Sequence, residues 1–276
     1  MKRWSGSQAG VWIVRVGLVV MPVLYVPGLS VDTPRLILLQ VICFGLALSC
    51  FMARRFHLPR NTPFVLPLLA YLFLTSLQSV RGINPSEALI TLSTNVGYGI
   101  VALGAAALVP PTQTLSLLRF SAIGGLCVSV IGILEHFGVG WALYPSAGRP
   151  SATFGFRNVA AMYLAVNIPL SASLFWRDKK RDWLLGVGAI ACMSAFLVLT
   201  RSRGAWLGIS TAACTGLALA WFCGKREGGS ILSLLWRRLT RQKFTAAFVL
   251  LCLVVLVSLT PARYTDLSLH RLDEKK

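Results

Sequence analysis

LILLQVICFGLALSCFMA, residues 36–53, runs for eighteen positions without a charged side chain and ends against Arg54 and Arg55. Wound as a helix, an apolar run of that length matches the hydrocarbon thickness of a bilayer. Lipid cannot satisfy backbone N–H and C=O groups, so the segment must pair them within itself. Barrel strands would be shorter and would alternate polar with apolar residues, which this stretch does not. Working outward, comparable runs place further spans near 10–29, 62–80, 88–109, 116–138, 155–176, 183–200, 204–223 and 244–262. The expected fold is an all-α integral membrane protein of about nine transmembrane helices. Residues 1–262 are expected to form its helical domain, with 263–276 following the last span as the start of a further loop.

Composition agrees. The 276 residues are 55% hydrophobic and 13% charged, with a mean hydropathy of +0.69. A water-soluble domain carries roughly 25% charged residues, so no separate soluble core is expected. Neither an internal repeat nor a soluble linker interrupts the pattern. Lys2 and Arg3 precede an apolar stretch in the manner of a signal peptide. Arg15 breaks that stretch and no clear small-x-small cleavage site follows, so it reads as a retained first span. Seven cysteines (Cys43, Cys50, Cys127, Cys192, Cys214, Cys223 and Cys252) lie in or beside spans without CxxC or Cys/His spacing. They read as small apolar residues, and neither a metal nor another cofactor is expected.

The net charge of +18 does not point to nucleic acid, because the basic residues sit in short connections between spans. Their distribution sets orientation instead. With the N-terminus inside, the cytoplasmic segments hold Lys2 and Arg3, then Arg54, Arg55 and Arg60, then Arg119, then Arg177, Lys179, Lys180 and Arg181, then the basic residues of 225–243. That gives sixteen basic residues inside against ten outside, Arg15 lying within a span. Nine spans with N-in, C-out follow. Residues 231–241 (ILSLLWRRLTR) can place Ile231, Leu232, Leu235 and Leu239 on one face beside Arg237, Arg238 and Arg241. That suits either a helix lying on the anionic inner leaflet or a solvated basic loop.

The outer face breaks the charge rule. Arg149 and Arg157 flank the entry to the sixth span, and Arg201 and Arg203 sit in the turn between the seventh and eighth. A guanidinium at headgroup depth costs a few kcal/mol unless it snorkels or is paired, and no outer acid is adjacent in sequence. Two readings stand side by side. These arginines anchor helix ends among lipid phosphates, as Trp206 would among headgroups, or they fork onto the oxygens of an anionic ligand.

Two segments there carry a family resemblance. Thr153-Phe154-Gly155-Phe156-Arg157-Asn158 opens a span, and Ser202-Arg203-Gly204-Ala205-Trp206-Leu207-Gly208 follows one helical hairpin later. In this order, with the basic loop 177–182 between them, they resemble the O-antigen ligase and O-antigen polymerase family of bacterial envelope proteins. Tyr25-Val26-Pro27-Gly28-Leu29 with Pro34-Arg35 resembles that family's first outer loop, and the likeness covers about residues 20–276. It implies a membrane glycosyltransferase-like bundle in the bacterial inner membrane. The implied reaction is metal-independent transfer of a glycan from a polyprenyl-diphosphate-linked donor to an acceptor (lipid A core in the ligase reading) on the periplasmic face. Fixed cations beside the leaving diphosphate would stabilise charge that grows as the glycosidic bond breaks. The resemblance assigns that role first to Arg203, then to Arg201 and Arg157, with Asn158 donating a hydrogen bond.

The chain departs from the family at Phe156, where asparagine is common, and in ending at Lys276. Members usually continue into a long periplasmic loop whose histidine and arginines serve the acceptor. The acceptor hydroxyl needs a base within hydrogen-bond reach. Glu135 is the catalytic candidate, beside His136 at the same span end and Asp266 and His270 in the tail. Glu135 could equally neutralise Arg149 or Arg157. Rival expectations are a transporter of bicarbonate or another small anion, and a donor-binding fragment without transferase activity. The partners expected are the lipid-linked donor, a glycan acceptor and the bilayer.

Overall fold

The computed structural model describes residues 6–27, 29–53, 65–80, 84–139, 150–175 and 179–226. Among the described residues there is no strand, and the helices are α1 (Gly6–Val23), α2 (Asp32–Ala53), α3 (Val65–Val80), α4 (Pro85–Leu108), α5 (Thr114–His136), α6 (Arg157–Phe175), α7 (Lys180–Thr200) and α8 (Arg203–Arg226). They fall on the first eight expected runs. The ninth run at 244–262, the basic segment at 231–241 and the tail with Asp266 and His270 lie outside the described residues. By length and composition α1, α2, α4, α5 and α7 can each cross a membrane. The chain is a multi-pass helical membrane protein.

Proline sets several helix ends. The first expected span reaches residue 29, yet α1 stops at Val23, just past Pro22 and short of Pro27. A residue preceding proline is disfavoured in the α conformation, and Val26 stands in that position. Val109 is extended for the same reason, and the following prolines give a 3-10 turn, Pro111–Gln113, that separates α4 from α5. Pro85 opens α4, where its missing N–H costs nothing.

The chain forms two compact units, Met1–Phe120 and Ser121–Lys276, divided within α5. In the first, α1 packs on α2 and α4, α2 on α4, and α3 on α4. Val14, Ile42, Leu46 and Leu108 form its core. Gly10 allows the close approach: a Cβ there would overlap the Leu108 side chain. The outward face of α2 is as apolar as the inward one. Leu39, Ile42 and Leu46 are buried, whereas Ile37, Val41, Phe44, Leu48 and Phe51 form an exposed stripe, with Phe44 72% exposed. A helix apolar all round has lipid, not water, as its outer solvent.

Arg15, midway along α1, has its own niche in this unit. Its Nη2 donates to Gln113 Oε1 at 2.8 Å. Its guanidinium lies 5.0 Å from the Trp12 ring centroid and 5.9 Å from that of Phe120. Among the described residues, aromatic faces and one amide oxygen take the place a carboxylate would hold, a cation–π arrangement strengthened by exclusion of water.

In the second unit α6 packs along α7 and against α8. Two glycines of α5 admit bulky side chains of α7: Gly125 receives Met193 and Gly132 receives the ring of Phe196, both fully buried. Such small-residue contacts are how helices associate where lipid removes the hydrophobic drive. A polar contact adds to them, the buried Ser121 hydroxyl donating to Asn167 Oδ1 at 2.5 Å while Asn167 Nδ2 donates to the Tyr163 carbonyl.

Candidate functional site

The turn between α7 and α8 is two residues long. Arg201 takes the left-handed conformation (φ 48°, ψ 36°) and its N–H closes α7 by donating to the Val198 carbonyl. Glycine normally fills that position, since a side chain there is strained by about 1 kcal/mol. Keeping arginine holds its guanidinium at the helix end. Ser202 follows at the entry to α8, and its hydroxyl reaches across to Asn158 Oδ1 at 3.3 Å. This bond ties the α7–α8 turn to the first turn of α6, joining residues 44 positions apart.

On the α6 side the chain makes a short 3-10 turn, Ala152–Phe154, then passes through Gly155 in the left-handed region (φ 72°) and enters the helix at Arg157. Phe154 packs on Tyr163, ring centroids 5.2 Å apart. Behind this turn stands Glu135 at the end of α5, wholly buried. Its Oε2 accepts from the backbone N–H of Ser151 at 3.0 Å and of Ala152 at 2.7 Å. Neighbouring His136 is also buried and packs edge-on against Phe137. Neither of its ring nitrogens has a hydrogen-bond partner among the described residues.

The α7–α8 turn and the first turns of α6 and α8 form an open cleft of about 770 Å³. Arg157, Asn158, Arg201, Ser202 and Arg203 line its polar part, and Met162, Ala165 and Val166 continue the wall along α6. The structure thus brings all four expected diphosphate ligands, Arg203, Arg201, Arg157 and Asn158, to one pocket. Glu135, the expected base, is not among the lining residues. Arg149 lies outside the described residues. Phe156 points away, 73% exposed.

The pocket is electropositive by construction. Three guanidiniums share it, none in an ion pair among the described residues, and no acidic side chain lines it. The N-termini of α6 and α8 both open at it, each contributing partial positive charge and first-turn amides that the helix itself does not use. With Oδ1 of Asn158 engaged by Ser202, the amide keeps Nδ2 as its donor. Arginine forks, helix N-termini and an amide N–H are donors suited to a phosphate-bearing ligand. Among the described residues, no three His, Cys, Asp or Glu side chains come together as a metal-binding group.

Ser202 and the apolar wall of Met162 and Val166 were not evident from sequence. Their signal lies in the packing of α6 on α8 rather than in any local pattern. No family model matches the chain, and neither does any curated protein or solved structure.

Proposed function

We propose that the protein binds a polyprenyl-diphosphate-linked glycan at the arginine cleft and serves its transfer to an acceptor on the periplasmic face of a bacterial inner membrane. The observation that carries this reading is the meeting of Arg157, Arg201 and Arg203 in one cavity with no acid among its lining residues. Such a site favours a ligand that brings its own negative charge. The wall along α6 turns apolar within about one helical turn of the arginines, which suits a charged head on a lipid better than a free ion. The resemblance of residues 153–158 and 202–208 to O-antigen ligases and polymerases supports glycosyl transfer as the reaction. N-in, C-out topology with nine spans is part of the same proposal, since it sets the cleft on the periplasmic side.

Arg203 would hold the diphosphate and take up the charge that develops on it as the glycosidic bond breaks. The test is Arg203→Ala beside Arg203→Lys in nanodiscs, measuring binding of undecaprenyl diphosphate and transfer from a lipid-linked glycan. Alanine should weaken binding by about tenfold or more, as for a lost charge-assisted pair. Lysine should restore only part, because the two-point fork is gone. Wild-type binding and transfer in Arg203→Ala would refute the assignment.

A further inference from the structure

We infer that Glu135 is a positioning residue for the arginine cleft: its carboxylate fixes the turn that delivers Arg157 and Asn158 to the pocket. This rests on the donor-binding reading of that pocket and assigns Glu135 a task other than proton transfer.

Three observations carry it. First, Glu135 is 0% exposed and does not line the cavity. A base must come within hydrogen-bond reach of the hydroxyl it deprotonates, and an acceptor seated in the cleft does not meet this side chain. Second, Oε2 already accepts two backbone N–H groups, at 3.0 and 2.7 Å, from Ser151 and Ala152. A carboxylate is removed from water only where such bonds replace its hydration, and bonds to an ionised acceptor are the strong kind. Third, the segment it holds is one that local preferences do not favour. Ala152 has φ 50°, a left-handed conformation rare for a residue with a Cβ, and Gly155 is left-handed too. Strain of this kind persists only when surrounding structure over-determines it.

The mechanical chain is short. Glu135 pins the amides of Ser151 and Ala152, and Phe154 seats against Tyr163. Gly155 then reverses the chain, and α6 begins two residues later with Arg157 and Asn158 facing the cleft. Arg203 enters from α8 and is joined to this turn only indirectly, through the Ser202–Asn158 bond at 3.3 Å. The carboxylate therefore acts directly on the Arg157 half of the site and much less on the Arg203 half.

That asymmetry gives the test. Wild type, Glu135→Gln, Glu135→Ala, Arg157→Ala, Arg203→Ala and the double variants Glu135→Ala/Arg157→Ala and Glu135→Ala/Arg203→Ala are placed in nanodiscs. Binding of geranylgeranyl diphosphate is measured together with amide hydrogen exchange across residues 150–158. Glutamine keeps an oxygen for the two amides, so it should hold exchange protection and stay within about threefold of wild-type affinity. Alanine leaves both amides without that acceptor, so exchange at 151–154 should accelerate and affinity fall by about tenfold. Adding Arg157→Ala to Glu135→Ala should cost little more, whereas adding Arg203→Ala should cost most of its separate effect. A protein merely destabilised by Glu135→Ala would not show that selectivity.

Unchanged exchange in Glu135→Ala, or an additive Arg157→Ala effect, overturns the inference. So does a loss of transfer of about a hundredfold or more in Glu135→Gln with donor affinity intact, which is the mark of a base. If wild type and Arg203→Ala both fail to bind the probe, the donor-binding reading falls instead. The exchange measurement, made without ligand, still decides whether Glu135 holds the turn.

Discussion

Adding one methyl group at Gly132 of α5 should cost far more than adding the same methyl at Gly188 of α7. A Cβ on Gly132 would overlap the ring of Phe196, and that ring is 0% exposed, with no free side to swing toward. Overpacking of this kind costs about 1–3 kcal/mol, and the ring's confinement places it at the upper end. Alanine also gains about 1 kcal/mol of helix propensity over glycine, so the net loss for Gly132→Ala is roughly 2 kcal/mol. Among the described residues nothing lies within 4 Å of where a Cβ on Gly188 in α7 would stand, so Gly188→Ala keeps only the propensity gain. Two identical substitutions should therefore differ by about 3 kcal/mol in opposite directions. Reversible unfolding in bicelles by denaturing-detergent titration would read both, and Phe196→Leu in the Gly132→Ala background should return part of the loss. Equal effects at the two glycines, or no rescue by leucine, would refute the packing argument.

Ser121→Ala should cost about 1–3 kcal/mol by stranding the buried Asn167 oxygen, and in the same unfolding assay Ser121→Ala/Asn167→Leu should cost less than the two single changes combined. Arg201→Gly should stabilise the fold by up to about 1 kcal/mol, since relief of about 1–2 kcal/mol of left-handed strain is offset in part by about 0.4–1 kcal/mol of added unfolded-chain entropy, while weakening lipid-diphosphate binding. Stability and affinity moving the same way would sink that assignment. For topology, a single cysteine at Lys180 in a Cys-free variant should resist an impermeant thiol reagent added from the periplasm, and ready labelling would reverse the proposed orientation.

The helices were legible because hydrophobic runs of bilayer length leave lipid-facing and protein-facing positions equally apolar, as α2 demonstrates. The ends were less so. Pro22 and Pro27 halted α1 near Val23, and hydropathy does not see this because valine and tyrosine beyond the helix remain apolar. Arg157, Arg201 and Arg203 stood out because the expected topology puts them on the face that should lack such charge. That they share a cavity depends on α6 lying against α8 across 44 residues, which no local pattern encodes. Glu135 was visible as a lone acid at a span end, but its partners are backbone amides of Ser151 and Ala152, and every residue other than proline offers one. Nothing in the side-chain sequence could have named them.

Arg15 has a consequence for the order of events during synthesis. On insertion scales an arginine at the centre of a span costs about 2.5–3.5 kcal/mol, so α1 enters the membrane as a reluctant first passenger. Trp12 emerges with it and can shield one face at once. Gln113, which takes its hydrogen bond, lies 98 residues downstream, and Phe120 follows later still. At about 5–20 residues per second, the guanidinium waits roughly 5–20 s for the partners that complete its niche. During that interval α1 must lean on the insertion machinery, tilt its charge toward the headgroups, or be held by α2. Biogenesis of this chain is thus expected in two stages, with α1 settling only after α5 has begun to leave the ribosome.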